Sequence, residues 1–418
     1  MIQAMYSGIS GMKAFKSSLD VIGNNIANTN TVGYKAGRAT FKEMLAQTLT
    51  SGSAPSENRG GVNASQLGLG VVMGSIDTND SQGSMTATGR NTDLAIEGNG
   101  LFALGGGDKV AYTRDGSFTL DGQYNLVSSS SGLKVLGWAA DLTTGEIDTS
   151  KPVTGNSGIR IPIGSLSVAR QTSQIDLAGN LDASADVGDA DDVVPLKFDI
   201  YDSLGLTHEM RVEFKKVAAD ATWEYKVFCP DVDATNAVYT GNISFDSHGY
   251  STLDKIDLAF NFTTDTGSVE PLVATLNTAN LSQLKGTSTA NLSYQDGLQL
   301  GTLESFSIDK TGEVVGTFTN GSTRTLGQIA LAKFNNPAGL TKTGSNLYAE
   351  SPNSGSASLG IPGESSLGQI DSGYLEASNV DLAAEFANMI VAQRGFQANS
   401  RIITTADEVL QELVSLKR

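Results

Sequence analysis

Apolar positions along this chain follow two different rhythms. At the N-terminus Met5, Met12, Leu19 and Ile26 recur at intervals of seven, with Ile2 and Ile9 three residues before the first two. Phe15 and Ile22 widen the stripe. Such an a/d-type heptad seam predicts a helix of about seven turns. At the other end Leu382, Met389, Phe396, Ile403 and Leu410 hold one heptad position. Ala392, Ala406 and Leu413 fall on the companion position, which Glu385 and Asn399 interrupt. A helix over 380–417 would be roughly 57 Å long at 1.5 Å rise per residue. Asn379 or Asp381 can cap its start, since a short side-chain oxygen accepts an orphan backbone N–H. Gly8, Gly11 and Gly23 each cost about 1 kcal/mol against Ala in a helix interior. The first helix is therefore marginal alone, and both seams need a partner.

Between the ends the period shortens to two. From about Val71 to Trp138, and again from about Leu298 to Tyr348, short apolar runs alternate with "DG", "TG" and "NG" turns. These are hairpin signals. The middle third continues in longer units, with a hairpin expected about "DSLG" (Asp202 to Gly205) that places Phe198, Ile200, His208, Met210, Val212 and Phe214 in strands. The predicted fold class is α+β, mainly β. The terminal helices pair as a coiled-coil-like inner domain, and two discontinuous β-rich domains are nested inside. The expected divisions are 1–30 with 375–418 for the helices and 31–70 and 350–374 for linkers. A middle β domain takes 71–144 with 295–349, and an inserted outer β domain takes 145–294.

Two polar phrases mark the helix ends. "NNIANTNTVGYK" (Asn24 to Lys35) follows the first helix and "LEASNVDL" (Leu375 to Leu382) precedes the last. Asn competes with the helix for backbone hydrogen bonds and favours caps and turns. Asn24, Asn25, Asn28, Gly33 and Asn379 are therefore read as a helix-exit joint: Asn24 and Asn25 loosen the last turn, and the chain is redirected from an inner helical layer to an outer β layer.

Composition narrows the function. The chain has 418 residues, 47 Gly, 17% charged residues and a formal charge of −17. So acidic a chain disfavours generic binding to nucleic acid or anionic membranes. With the single Cys229, no intrachain disulfide can form. No apolar run approaches a membrane span, and the N-terminal stretch lacks the apolar core of a cleaved signal. His208 and His248 stand in no metal-ligand spacing and read as ordinary strand and turn residues. "GNGLFA" (Gly98 to Ala103) begins like a dinucleotide fingerprint but leads into a turn, so it reads as a hairpin turn. The acidic cluster Asp182, Asp186, Asp189, Asp191 and Asp192 lacks calcium-loop spacing and reads as a solvated loop. Trp138 and Trp223 are the only large stacking platforms. No constellation argues for catalysis, a cofactor or a metal.

"SGISGMKAFKSSLDVIGNNIANTNTVGYK" (Ser7 to Lys35) and "LEASNVDLAAEFANMIVAQRGFQANSRIITTADEVLQELV" (Leu375 to Val414) resemble the terminal signatures of the bacterial flagellar axial proteins. That family comprises rod, hook and hook-associated subunits. "DLAIEGNGLF", "YTRDGSF" and "LGQIALAKFNNPAGLTKTGSNLY" are similar to its β interior, and "FDIYDSLGLTHEMRVEF" to the inserted domain of hook-type members. The resemblance implies a non-enzymatic subunit that self-assembles into a tubular, flexible hook. Such a hook is a universal joint passing torque from motor and rod to filament, and it encloses the export channel. It implies helices that line the channel and are disordered in the free subunit. The implied partners are further copies in a helical polymer, the distal rod protein, the hook cap, the hook–filament junction proteins and the flagellar type III export apparatus. The implied location is the extracellular hook of a bacterial flagellum, reached without a cleaved signal. Ile2, Met5, Ile9, Met12, Leu19, Ile26, Leu382, Met389, Phe396, Ile403, Leu410 and Leu413 are then the polymerisation seam. A distal rod or hook-associated subunit is one alternative, because Ser51 to Gln66 resembles an insertion associated with distal rod proteins. A β-rich extracellular carbohydrate-binding protein or hydrolase is another.

Overall fold

The computed structural model describes residues 2–415 except Ser53, 56–59, Asp108, 142–144, 188–192, 219–220 and 263–266, and leaves undescribed the side chains of Ile2, Ala218 and Leu413. The chain is mainly β, with helix α1 (Ile2–Ala27) at one end and helix α2 (Leu382–Ser415) at the other. It divides into two compact units. The first holds residues 1–161, 307–315 and 325–418, and the second holds 162–306 and 316–324. The boundaries expected at 145 and 295 thus fall at 161 and 306, and the helices belong to the same unit as the first β region.

The first unit is built on a sheet whose strands run Thr341–Gly344, Leu347–Ala349, Lys109–Thr113, Leu101–Gly106, Lys134–Val135, Leu126–Ser128 and Phe118–Leu120. Leu331–Lys333 pairs with Leu101–Gly106 and also with Ser358–Gly360. Phe102 and Phe118 meet edge to face with ring centroids 5.0 Å apart, and Tyr112 meets Phe334 in the same way at 4.8 Å. The stretches expected to be linkers carry strands. Gly37–Glu43 pairs antiparallel with Val71–Thr78, and Ala46–Thr50 with Ser65–Gly68. On the return path Gln369–Ser372 pairs with Leu94–Glu97 and Tyr374–Glu376 with Met85–Ala87. Low apolar content hid Ala46–Thr50 and Ser65–Gly68, which are exposed along their length and held by backbone pairing, whereas Gln369–Ser372 buries Ile370 against Leu94–Glu97.

The second unit contains two four-stranded sheets. One is a meander of Val193–Tyr201, Thr207–Ala218, Thr222–Phe228 and Tyr239–Ser244. The other runs Lys255–Phe260, Leu272–Leu284, Gln174–Asp182 and Asn291–Gln295, its two middle strands parallel. The hairpin at Asp202 forms in the register Phe198↔Met210 and Ile200↔His208. A period of two sends Leu196, Phe198, Ile200, Met210, Val212 and Phe214 inward, where Trp223, Phe260 and Leu276 complete one core. Asp202 shapes the turn by accepting from the N–H groups of Leu204 and Leu206.

Phe214 is fully buried in this core, so Phe214→Ala should cost about 3–5 kcal/mol there. The check is denaturant unfolding followed by Trp223 fluorescence, with Trp138 replaced by Phe so that one tryptophan reports.

Candidate assembly site

α1 and α2 pack against each other antiparallel. Gly11 faces Asn399, Phe15 faces Gly395 and Asn25 faces Glu385, so partners descend along α2 as residues ascend along α1. The approach is closer than ordinary side chains permit. A Cβ on Gly11 would lie 2.8 Å from the Asn399 amide, and one on Gly395 would lie 2.5 Å from the Phe15 ring. Gly11 costs the isolated helix stability, and here it gives back a close helix crossing.

The central line of this interface differs from the expected seam. It follows Gly8, Gly11, Phe15, Ile22 and Asn25 on α1, and Glu385, Ala392, Asn399 and Ala406 on α2. Apart from Ile22 and from Phe15, whose ring fills the space over Gly395, small and polar residues hold this line. Met5, Ile9, Met12, Leu19 and Ile26 are therefore half-buried beside the line, as are Met389, Ile403 and Leu410. Leu382 and Phe396 are exposed, and the Ile2 and Leu413 side chains lie outside the described ones. Glu385 and Asn399, read from the sequence as interruptions, belong to the contact itself.

The two Asn-marked phrases meet. α1 continues through Asn24 and Asn25 to Ala27, so these residues do not loosen its last turn. Asn25 is buried and clasps the backbone of Gly37, donating from Nδ2 to its carbonyl (2.8 Å) and accepting from its N–H at Oδ1 (2.9 Å). Its Nδ2 also donates to Glu385 Oε1 at 3.1 Å, and its Oδ1 accepts from the Tyr34 hydroxyl at 3.2 Å. Asn24 Nδ2 donates to the same hydroxyl at 3.2 Å. The stop comes from Asn28, whose Nδ2 donates to the Asn24 carbonyl at 2.9 Å. Gly33, at φ +67°, then turns the chain. A Cβ there would lie 2.8 Å from the Arg114 backbone, and the Gly33 N–H donates to the Glu376 carbonyl at 2.8 Å. Asp381 caps α2 by accepting from Ala383 N–H at 2.9 Å. Asn379 is free for another role: it accepts from Ala36 N–H and donates to the carbonyls of Asn79 and Ser81.

Beneath this crossing lies an ion triad that sequence reasoning missed, although both quoted phrases contain one of its members. Glu376 is only 1% exposed. Lys35 Nζ reaches its Oε1 at 2.6 Å and Arg114 Nε its Oε2 at 2.5 Å. Gly83 N–H donates to Oε1 at 2.8 Å. Arg114 directs three of its four remaining N–H donors to the carbonyls of Ile96, Gly98 and Gly100. That explains "GNG": a turn that presents carbonyls to a guanidinium. Burial alone would raise the Glu376 carboxyl, but Arg114, Lys35 and Gly83 together hold it below the usual carboxylate range. Burial holds the Lys35 ammonium below its ordinary value, against the opposing pull of Glu376.

The residues weighed for catalysis are placed differently. His208 is buried in the second unit, stacked on Phe262 with ring centroids 3.7 Å apart, and its Nδ1 lies 2.7 Å from Asp231 Oδ2. Cys229 is fully buried and burial pushes its thiol up. Both tryptophans are buried and offer no exposed stacking platform. Among the described residues no group of three or more His, Cys, Asp or Glu could hold a metal ion, and no helix is long and apolar enough to cross a membrane. Asp189, Asp191 and Asp192 lie outside the described residues.

Four family models match in chain order. They are "Flagella basal body rod protein" over 5–35, "Flagellar hook protein FlgE/F/G D1 domain" over 95–181, "Flagellar basal body protein FlaE D2 domain" over 180–298 and "Flagellar basal body rod FlgEFG protein C-terminal" over 371–416. All four describe rod and hook proteins of the flagellum, its axial class. The flagellar hook protein FlgE of Treponema pallidum (strain Nichols) is 36% identical, covering 100% of both chains. That of Escherichia coli (strain K12) is 35% identical over 99% of this chain and 100% of its own. The flagellar basal-body rod protein FlgG of Bacillus subtilis (strain 168) is 34% identical over 100% of both. The crystal structure of Helicobacter pylori flagellar hook protein FlgE2 shares the fold, with TM-score 0.50 and 16% identity, covering 70% of this chain and 100% of that one. The chain belongs to the flagellar hook protein family.

The folded-state Glu376 carboxyl lies below its unfolded value, so its stabilisation is present above the ordinary carboxylate pKa of about 4.3 and is lost as pH falls through the folded value. Glu376→Gln should cost about 3 kcal/mol at neutral pH, because two buried cations lose their counter-charge. The variant should also lose part of the acid dependence of unfolding, measured by circular dichroism between about pH 3 and pH 7. Asn25→Ala alone should cost about 2 kcal/mol through the stranded Gly37 groups. The triple replacement of Asn24, Asn25 and Asn28 by Ala should cost little more in the same melts.

Proposed function

We propose that this chain is the structural subunit of a flexible flagellar hook, assembling with copies of itself into a tube that passes torque from rod to filament and surrounds the export channel. The observation that carries this reading is the uncovered apolar flank of the helix pair. Leu382, Phe386, Ile390, Phe396, Ile402 and Val409 on α2 are all exposed, and Tyr6 on α1 is 67% exposed. The strand pair 46–50 with 65–68 has no core of its own and leaves Leu49 and Leu67 open, next to Leu45 at 83%. A subunit that stayed monomeric would rarely keep so much apolar surface in water. The helices settle the Gly11–Phe15–Ile22 and Glu385–Ala392–Asn399 lines within one chain and leave the exposed apolar flank for neighbours. Polymerisation then buries these lines, and folding of the helix ends is coupled to binding.

Within that reading the subunit works by packing, without catalysis. Its further partners are the distal rod at one end of the tube, the cap and junction proteins at the other, and the type III export apparatus that delivers it. The fully buried second-unit core supports a rigid outer body, while adaptation to bending falls on surfaces between copies.

Phe396→Asp or Leu410→Asp should leave the unfolding of the β units unchanged and abolish polymers. Electron microscopy of the full chain after assembly in concentrated sulfate, which strengthens apolar burial, reads the outcome. Curved tubes from the wild type and none from the variants are expected; tubes of normal length from the variants would contradict the reading, and straight rods from the wild type would favour a distal rod subunit.

A further inference from the structure

Inside the second unit two buried polar atoms without a hydrogen-bond partner face each other. They are Asp202 Oδ2 and His208 Nε2, 3.8 Å apart, on side chains 1% and 2% exposed. The other edge of the ring is occupied, with Nδ1 2.7 Å from Asp231 Oδ2, and Phe262 is stacked on its face. Asp202 belongs to the turn before His208, where its Oδ1 accepts from the N–H groups of Leu204 and Leu206. Asp231 lies in the loop after Thr222–Phe228. Cys229 opens that loop, buried, with its thiol pushed up and so uncharged. Asp233, further along, accepts from Thr235 and Asn236. The other charged groups nearby in the packed strands and turns, Lys197, Asp199, Glu209, Lys255, Asp257 and Glu270, are exposed, and Asp265 lies outside the described residues.

A neutral imidazole has one N–H and one lone pair. Nδ1, in hydrogen-bond contact with a carboxylate, takes the N–H. Nε2 would then turn its lone pair toward Asp202 Oδ2, which in a carboxylate is also only an acceptor. Two desolvated acceptors would face each other with no donor between them, and each would go without its hydrogen bond. The other neutral tautomer only moves the clash to Asp231, at the shorter distance. One further proton removes it. With both nitrogens protonated the ring is a cation between two carboxylates, and opposite charge at this range favours the charged form.

We propose that His208 is held as an imidazolium between Asp202 and Asp231 in the folded second unit, a proton latch that ties the 202–206 turn to the loop after Phe228. The latch is pH-sensitive. When the proton leaves, the ring turns a lone pair on Asp202, the residue whose other oxygen shapes the turn. That turn carries Leu204 and Leu206, 52% and 49% exposed, so alkaline medium loosens an exposed apolar tip. The sign follows from linkage. The unfolded chain gives up this proton at about pH 6.5, and the folded unit keeps it. The stabilisation is therefore complete below that pH and is lost as pH rises through the point where the folded ring releases its proton. The inference does not depend on self-assembly.

The test is nitrogen NMR of the full chain with isotope-labelled imidazoles, carrying His248→Gln so that one ring reports. An imidazolium shows two N–H nitrogens, and a neutral ring shows one N–H and one bare nitrogen. At about pH 8, where an ordinary histidine is neutral, the His208 ring should show two. Asp202→Asn keeps an acceptor for Leu204 and Leu206 and offers Nε2 an amide N–H in place of an oxygen, so in that variant the ring should be neutral. Denaturant unfolding followed by Trp223 fluorescence, with Trp138→Phe as before, gives a second readout. Between about pH 6 and pH 9 the folded-to-unfolded ratio should fall at least about tenfold more in the parent than in Asp202→Asn. A neutral ring in the parent at pH 8 would overturn the proposal, and that spectrum decides even if the variant does not fold. A ring that stays charged in Asp202→Asn, or equal pH dependence of the two chains, would overturn it as well.

Discussion

A carboxylate buried to 1% exposure must bring its own cations and N–H groups, and Glu376 draws them from distant parts of the chain. Lys35 comes from just past α1, Arg114 from the β interior and Gly83 from the strand region between. Glu376 itself lies just before α2. Removing one partner leaves uncompensated charge in a medium that cannot solvate it. The triad thus makes the departure of α1 and the arrival of α2 conditional on each other. Asn25 on Gly37 and Asn379 on Ala36 repeat that condition with hydrogen bonds.

What the triad fixes at one end, glycine and alanine permit along the helices. Gly11 makes room for the Asn399 amide and Gly395 for the Phe15 ring, which leaves most of the larger apolar residues no place on the central line. Those residues move to the flanks. An interface of this kind is thin in buried apolar area, the main source of stability for paired helices. The pair is consequently positioned within one chain and, in the proposed assembly, completed by neighbours. Position is set locally by charge and Asn, and stability is left to assembly.

The sequence showed most of this at the level of elements. Heptad spacing located both helices, and period-two alternation located the hairpin in which Phe198 opposes Met210. Helical phase was harder. Met5, Met12, Leu19 and Ile26 form the more apolar line, and a hydrophobicity count selects it; only the close approach at Gly11 moves the contact to its neighbour. Asn25 read as a helix breaker because its propensity is poor, whereas its tertiary bonds to Gly37 decide its role. Lys35 and Glu376 were in view inside the two quoted phrases. Their pairing spans 341 residues of sequence, and no local pattern marks a contact of that separation. The strands among residues 37–68 were hidden for a different reason: exposed edges need backbone partners, not apolar side chains.

The account treats the terminal helices as positioned in the free subunit and stabilised by neighbours in the polymer. Backbone hydrogen exchange across Leu382–Ser415, measured in the free chain and in assembled tubes, tests that most directly. The account predicts fast exchange along α2 in the free chain and strong protection in the tube, while Thr207–Phe228 of the second unit exchanges slowly in both. Equal protection of α2 in the two states would contradict it.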